Sequence, residues 1–156
     1  MSKKNKKICF AASSGGHFEQ LMMLKPLMDK YDSFILTEKT KYTLSDEKHN
    51  IMYMRQVNRR EWNWIFAIIC NAIKSLFIFF REKPDVIVCT GALAMLPMCL
   101  ICKIFRRKLI FIESFAKVTS ATQTGKFLYK YADEFYVQWE QMLKVYPKAK
   151  YMGGIY

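Results

Sequence analysis

Five residues near the amino end, Ser13-Ser14-Gly15-Gly16-His17, lie between an apolar run and an amphipathic segment. Backbone N–H groups at such a helix start favour an anion or a polar oxygen, and the glycines permit close approach. The loop is neither GxGxxG nor the GK[ST] of a P-loop, so by itself it names no nucleotide. His17 would stand at the helix start, where the positive end of the dipole favours the neutral imidazole that a general base requires; a histidine capping its own loop reads equally well from position. Glu113 closes another apolar run and precedes Ser114 and Phe115. Its carboxylate could accept a sugar hydroxyl, serve as the base, or cap the next helix. Thr90, Gly91 and Pro97 form a third loop, with Pro97 suited to a first helical turn. Glu38, about 22 residues beyond the glycine loop, keeps a dinucleotide reading open.

The elements around these residues alternate. Short apolar runs at 8–12, 33–37, 51–54, 85–90, 108–113 and 134–138 read as strands, and a segment from Phe18 to about Lys30 reads as one helix. Continuously apolar strands separated by helical segments predict an open, doubly wound parallel sheet in an α/β domain spanning 1–156. Ligands in such sheets bind beyond the carboxyl ends of the strands, which makes the loops after Ala12, Thr90 and Glu113 the candidate site. The polar, lysine-rich stretch from Glu38 to Asn50 is the expected mobile loop.

Hydrophobic residues are 52% of the chain and aromatics 15%, too apolar for disorder. Lys and Arg number 25 against 13 acidic residues, a net charge of +12 that points to polyanions: nucleic acid, an anionic membrane face or phosphorylated substrates. No nucleic-acid reading module is recognisable. The five cysteines lie in apolar segments and read as reduced core thiols, the CxxC of Cys99 and Cys102 included. The start is polar and basic and unlike a signal peptide, so the expected location is the cytoplasmic side. The stretch from Trp62 to Phe80 has the length of a membrane span, with Asn63, Asn71, Lys74 and Ser75 as its polar residues. Those four fall within a sector of roughly 120° at helical spacing, leaving apolar surface both to pack on the sheet and to face lipid. Arg59, Arg60, Arg81, Lys83, Arg106, Arg107 and Lys108 flank the apolar stretches, as suits an anionic leaflet. A span would split the sheet across the bilayer, so peripheral docking through Trp62, Trp64, Phe66, Phe77, Phe80, Arg106 and Arg107 is the expectation.

Taken together, SSGGHFEQL (13–21), CTGALAMLP (89–97), IESFAKVTSATQTGKFLYKYAD (112–133), FYVQW (135–139) and YPKAKYMGGIY (146–156) carry a specific resemblance. The chain resembles the membrane-docking, acceptor-side subunit of two-part UDP-sugar glycosyltransferases. These include bacterial capsule and exopolysaccharide proteins and the eukaryotic subunit for the second N-acetylglucosamine of dolichol-linked chitobiose. More distantly it is similar to the amino-terminal half of the peptidoglycan transferase that makes lipid II. The resemblance implies the Rossmann-like amino-terminal half of a GT-B enzyme, inverting and metal-independent, with no cofactor bound by this chain and the UDP-sugar on a small partner subunit. It implies a polyprenyl-diphosphate-linked saccharide bound near Ser14, Gly15, Gly16, Thr90, Gly91 and Ser114, with His17 or Glu113 as the base. A chain stopping at Gly153-Gly154-Ile155-Tyr156 suits such a half, with Ile155 and Tyr156 as partner contacts. A non-catalytic membrane adapter that activates a complete transferase, and a dinucleotide-binding protein, are the alternatives.

Overall fold

The computed structural model describes residues 6–40 and 49–156. Among these residues seven strands form one sheet: β1 (Lys7–Ala11), β2 (Asp32–Glu38), β3 (Asn50–Met54), β4 (Val86–Cys89), β5 (Lys108–Ile112), β6 (Glu134–Val137) and β7 (Lys150–Tyr151). Their order is β3-β2-β1-β4-β5-β6-β7, with every neighbouring pair parallel. The order reverses between β1 and β4, so the expected crevice at the carboxyl edge lies between the loops that follow those two strands. The six strands read from the apolar runs are all present. β7 has only two residues, both exposed, and offers no apolar run to read.

Side-chain alternation along the strands divides the core in two. Cys9, Ala11, Leu36, Ile87, Cys89, Leu109 and Phe111 pack beneath α3 (Trp64–Glu82), α4 (Leu96–Ile104) and α5 (Gln123–Leu128). Ile8, Phe10, Ala12, Ile35, Val86 and Val88 face the other way, toward α1 (Gly16–Met22) and α2 (Lys25–Met28). The single helix expected from Phe18 to Lys30 is therefore two. Leu24 leaves helical geometry at φ −86° and ψ 10°, and Pro26, which has no N–H to donate, opens the next helix. Cys9, Cys89, Cys99 and Cys102 are buried free thiols, and burial pushes Cys102 up to about 12. Of the expected mobile loop, residues 41–48 lie outside the described residues.

The long apolar helix α3 is built differently from the expectation. The buried face includes Asn71 and Ser75 from the polar sector, together with Ala67, Ile78 and Phe79. The Asn71 amide donates to the Arg55 carbonyl at 2.8 Å and accepts from the Arg55 N–H at 2.9 Å, clamping the chain just after β3. The outer face is the greasy one: Ile65, Phe66, Ile69, Ile73 and Phe77 are each more than half exposed, and Trp62, in the turn before the helix, is 94% exposed. Trp64 is only half-exposed. Arg55 lies over the Phe66 ring and Arg81 over the Phe77 ring, so a guanidinium rests on an aromatic toward each end of the apolar face. Phe79 stacks on Phe105, with ring centroids 4.8 Å apart, joining α3 to α4. Of the expected basic rim, Arg106 is exposed, but Arg107 is tied to Asp85 at 3.1 Å and braces the starts of β4 and β5.

The clamp and its silent neighbour make a paired prediction. Asn71→Leu leaves the Arg55 backbone groups unpaired and costs about 2–3 kcal/mol in urea unfolding. The Ser75 hydroxyl is buried with no hydrogen-bond partner among the described residues, so Ser75→Ala changes stability by less than about 0.5 kcal/mol.

Candidate functional site

Three loops meet at the carboxyl edge where the strand order reverses. After β1, Ser13 donates its N–H to the Gly91 carbonyl at 3.0 Å, joining the glycine loop to the loop after β4. Gly15 adopts φ +76° and opens α1, and extra Cβ atoms at Gly15 or Gly16 would meet nothing within 4 Å, so this loop borders open space.

His17 and Thr90 bind each other twice. The Thr90 hydroxyl donates to the His17 carbonyl at 2.8 Å, and the His17 ring nitrogen Nδ1 lies 2.8 Å from the Thr90 carbonyl. A carbonyl only accepts, so Nδ1 carries the hydrogen, and in the neutral ring the lone pair is on Nε2. No partner for Nε2 is present among the described residues. Gly91, at φ +114°, makes the contact possible: a Cβ there would sit 2.9 Å from both Nδ1 and Cε1 of the imidazole. Thr90 has no exposed surface and spends its hydroxyl and carbonyl on His17. Expected to touch the acceptor, Thr90 instead backs His17, as does Gly91, which is also buried.

Glu113 is 1% exposed and saturated with donors. Its Oε1 accepts from the Ser114 N–H at 2.9 Å and the Thr122 hydroxyl at 2.9 Å; its Oε2 accepts from the Tyr146 hydroxyl at 2.7 Å and the Thr122 N–H at 3.2 Å. Burial, and then the hydrogen bond to Glu113, push the Tyr146 phenol well above its ordinary range. Gly125 leaves the space for this cluster, since a Cβ there would come within 2.1 Å of Glu113 Oε2. Two buried glutamines seal the backbone: Gln20 and Gln138 both donate to the Glu113 carbonyl, at 3.3 and 2.9 Å. Gln138 also accepts the Ile155 N–H at 3.1 Å, and Phe115 packs against both Trp139 and Tyr156. Glu113 thus holds the exit of β5, the start of α5 and Tyr146 in one corner.

A cleft of about 510 Å³ opens beside these loops, lined by Ser13, Glu38, Arg59, Lys117, Thr122 and Thr124 among others. His17 does not line it; Gly91 packs on the imidazole, and the next residue, Ala92, is a cleft residue. Arg59 and Lys117 have no ion-pair partner among the described residues. Glu38 accepts from the Ser14 N–H and hydroxyl, at 3.3 and 3.2 Å, and from the Val57 N–H at 3.1 Å. A carboxylate so engaged is spent within the chain, which takes from the dinucleotide reading the acid it needed. Ser114 is half-exposed at the same edge. Among the described residues there is no group of three or more His, Cys, Asp or Glu arranged to hold a metal ion.

Sequence reasoning missed Arg59 and Lys117 as cleft cations, and Thr122, Tyr146, Gln20 and Gln138 as supports. Only Thr122 left a signal, a threonine three residues before a glycine that caps α5 by accepting from the Gly125 N–H.

On the opposite face of the sheet, α1 and α2 cover only part of the strands. An apolar groove of about 320 Å³ remains, lined by Leu24, Val88, Ile110, Ile112, Tyr136 and Ile155 among others.

A family model described as "Oligosaccharide biosynthesis protein Alg14 like" matches residues 28–155. The chain belongs to this family. A curated relative from Rattus norvegicus, "UDP-N-acetylglucosamine transferase subunit ALG14", is 30% identical over 125 residues, which is 76% of this chain and 56% of the relative. The chain thus spans little more than half the length of that relative. The subunit of the same name from Yarrowia lipolytica is 29% identical over 174 residues, 96% of this chain and 81% of the relative. Among solved structures, Acinetobacter baumannii MurG superposes with a TM-score of 0.71 at 16% identity, over 87% of this chain and 42% of that one. At that identity the likeness speaks for the fold, the Rossmann-like α/β architecture expected of a GT-B half, and this Alg14-like chain has it.

The tautomer is directly measurable. Nitrogen NMR of the neutral His17 ring is expected to report a protonated Nδ1, and Gly91→Ala, by pushing the ring off the Thr90 carbonyl, to give a tautomer mixture. A wild-type ring protonated mainly on Nε2 would contradict the assignment.

Proposed function

We propose that the chain is the acceptor-binding half of a two-chain, inverting UDP-N-acetylglucosamine transferase. It works at the cytoplasmic face of a membrane on a saccharide carried by a polyprenyl diphosphate. The observation that carries this reading is the Nε2 of His17, which has no partner among the described residues and holds the lone pair of the neutral ring because Nδ1 donates to Thr90, at the reversal point of a sheet in an Alg14-like chain. The relatives are named as subunits of a UDP-N-acetylglucosamine transferase, and from that we take the donor and the need for a partner. The capsule or exopolysaccharide setting has only the sequence resemblance behind it. The family description speaks of oligosaccharide biosynthesis, and assembly of a lipid-linked oligosaccharide is the setting proposed.

In this mechanism Nε2 takes the proton of the acceptor hydroxyl while that oxygen attacks the anomeric carbon. The bond from that carbon to the UDP oxygen breaks, and UDP departs on the partner's side, without a metal or cofactor held by this chain. Ser14, Gly15, Gly16 and Ser114 border the acceptor, and Arg59 and Lys117 hold its diphosphate. Glu113, buried behind Thr122 and Tyr146, is a positioning residue.

The membrane lies against the exposed face of α3. Arg59 lies in a tight turn in which the Glu61 N–H donates to the Asn58 carbonyl at 3.0 Å, and Trp62 follows it directly, so a cleft cation sits three residues from the most exposed aromatic of the described residues. A lipid-borne diphosphate needs that proximity between cleft and bilayer. The partner docks on the apolar groove of the uncovered sheet face, where Ile155 already lies, with Tyr156 beside it on Phe115.

The test is made in the assembled complex. His17→Ala is expected to lower kcat by about 10²–10⁴-fold with partner affinity unchanged, at a stability cost of about 1–3 kcal/mol for the Thr90 carbonyl left unpaired. Unchanged turnover would remove His17 as the base and favour the adapter alternative.

A further inference from the structure

Glu38 presents a puzzle within the acceptor cleft. It is a carboxylate, 7% exposed, on the wall of a cleft whose other charged side chains are Arg59 and Lys117. If the cleft takes a diphosphate, a negative charge on its wall weakens binding by direct repulsion. Its contacts run between two segments far apart in sequence. One oxygen accepts both the N–H and the hydroxyl of Ser14 in the glycine loop. The other accepts the N–H of Val57, two residues before Arg59.

Val57 also packs against the main core, and the other ties of the segment after β3 are few. Asn71 of α3 holds the Arg55 backbone by its two hydrogen bonds, and Lys39 donates its N–H to the Met54 carbonyl at 2.9 Å. Beyond Val57 the chain enters the Asn58–Glu61 turn, where Arg59 and Arg60 are exposed. Glu38 is thus the last polar tie to the rest of the fold before the turn that carries Arg59, and it bears on the same loop that carries Gly15, Gly16 and His17.

We propose that Glu38 is a positioning residue that sets the separation between the glycine loop and Arg59, so that both reach one diphosphate. The carboxylate repels the ligand weakly, yet its removal harms binding, because the N–H groups of the loop and the guanidinium lose their common anchor. The inference rests on the acceptor reading above and adds to it a residue that does not touch the ligand.

Direct repulsion and positioning predict opposite signs, which makes the experiment decisive. Binding of inorganic pyrophosphate and of farnesyl diphosphate to the full chain is measured by calorimetry for wild type, Arg59→Ala and Glu38→Gln. Positioning predicts that Glu38→Gln, although it removes a negative charge, weakens both ligands by about tenfold or more. Equal or tighter binding by Glu38→Gln overturns the proposal while leaving the acceptor reading intact. A wild type that binds neither ligand, or an Arg59→Ala variant that binds like wild type, sinks the acceptor reading instead. Amide hydrogen exchange on the folded wild type tests the link itself, independently of that reading and of how the variant folds. The Ser14 and Val57 N–H groups are expected to be protected together. Free exchange at either amide in the folded chain overturns the proposal.

Discussion

Two hydrogen bonds running in opposite senses between His17 and Thr90 hold the centre of this site. Each has a backbone carbonyl as acceptor, so neither can reverse, and together they fix the position of α1 against the end of β4 and the tautomer of the imidazole. The remaining features follow from that contact. Gly91 must lack a side chain so that the ring can approach, and the glycine loop must turn sharply enough to start a helix within a few residues of β1. The parallel sheet brings the two strand ends together, since β1 and β4 are neighbours in space though far apart in sequence.

Around this contact lie two buried carboxylates with similar duties. Glu38 joins the glycine loop to the segment leading to Arg59, and Glu113 joins the exit of β5 to Thr122 and Tyr146. A buried carboxylate is costly unless its lone pairs are filled, and both are filled by donors from at least two segments. Loops that, in the proposed function, bind a flexible lipid-linked saccharide gain from such anchors, because each one fixes two segments at once.

Much of this was legible in the sequence because it follows from local pattern. The apolar runs marked six of the seven strands, and their alternation with helical segments implied a parallel sheet and a site at its carboxyl edge. The SSGGH loop and the Glu113 corner were both found there. What pattern could not reveal was partnership at long range. Nothing near Thr90 announces that its hydroxyl and carbonyl belong to His17, and Tyr146 reaches Glu113 from 33 positions away. The polarity of α3 was misread for the same reason: Asn71 looks like a solvated residue until Arg55 is seen folding back to meet it. With Asn71 and Ser75 turned inward, the outer surface of that helix is more apolar than a soluble domain needs.

The central claim is that this chain supplies one wall of a transferase and that another protein supplies the other. Its most direct test is transfer of labelled N-acetylglucosamine from UDP to a short polyprenyl diphosphate bearing one N-acetylglucosamine, assayed with this chain alone, with its co-purifying partner alone, and with the two combined on vesicles. The account predicts product only from the combination. Full turnover by this chain alone, or by the partner alone, would contradict it.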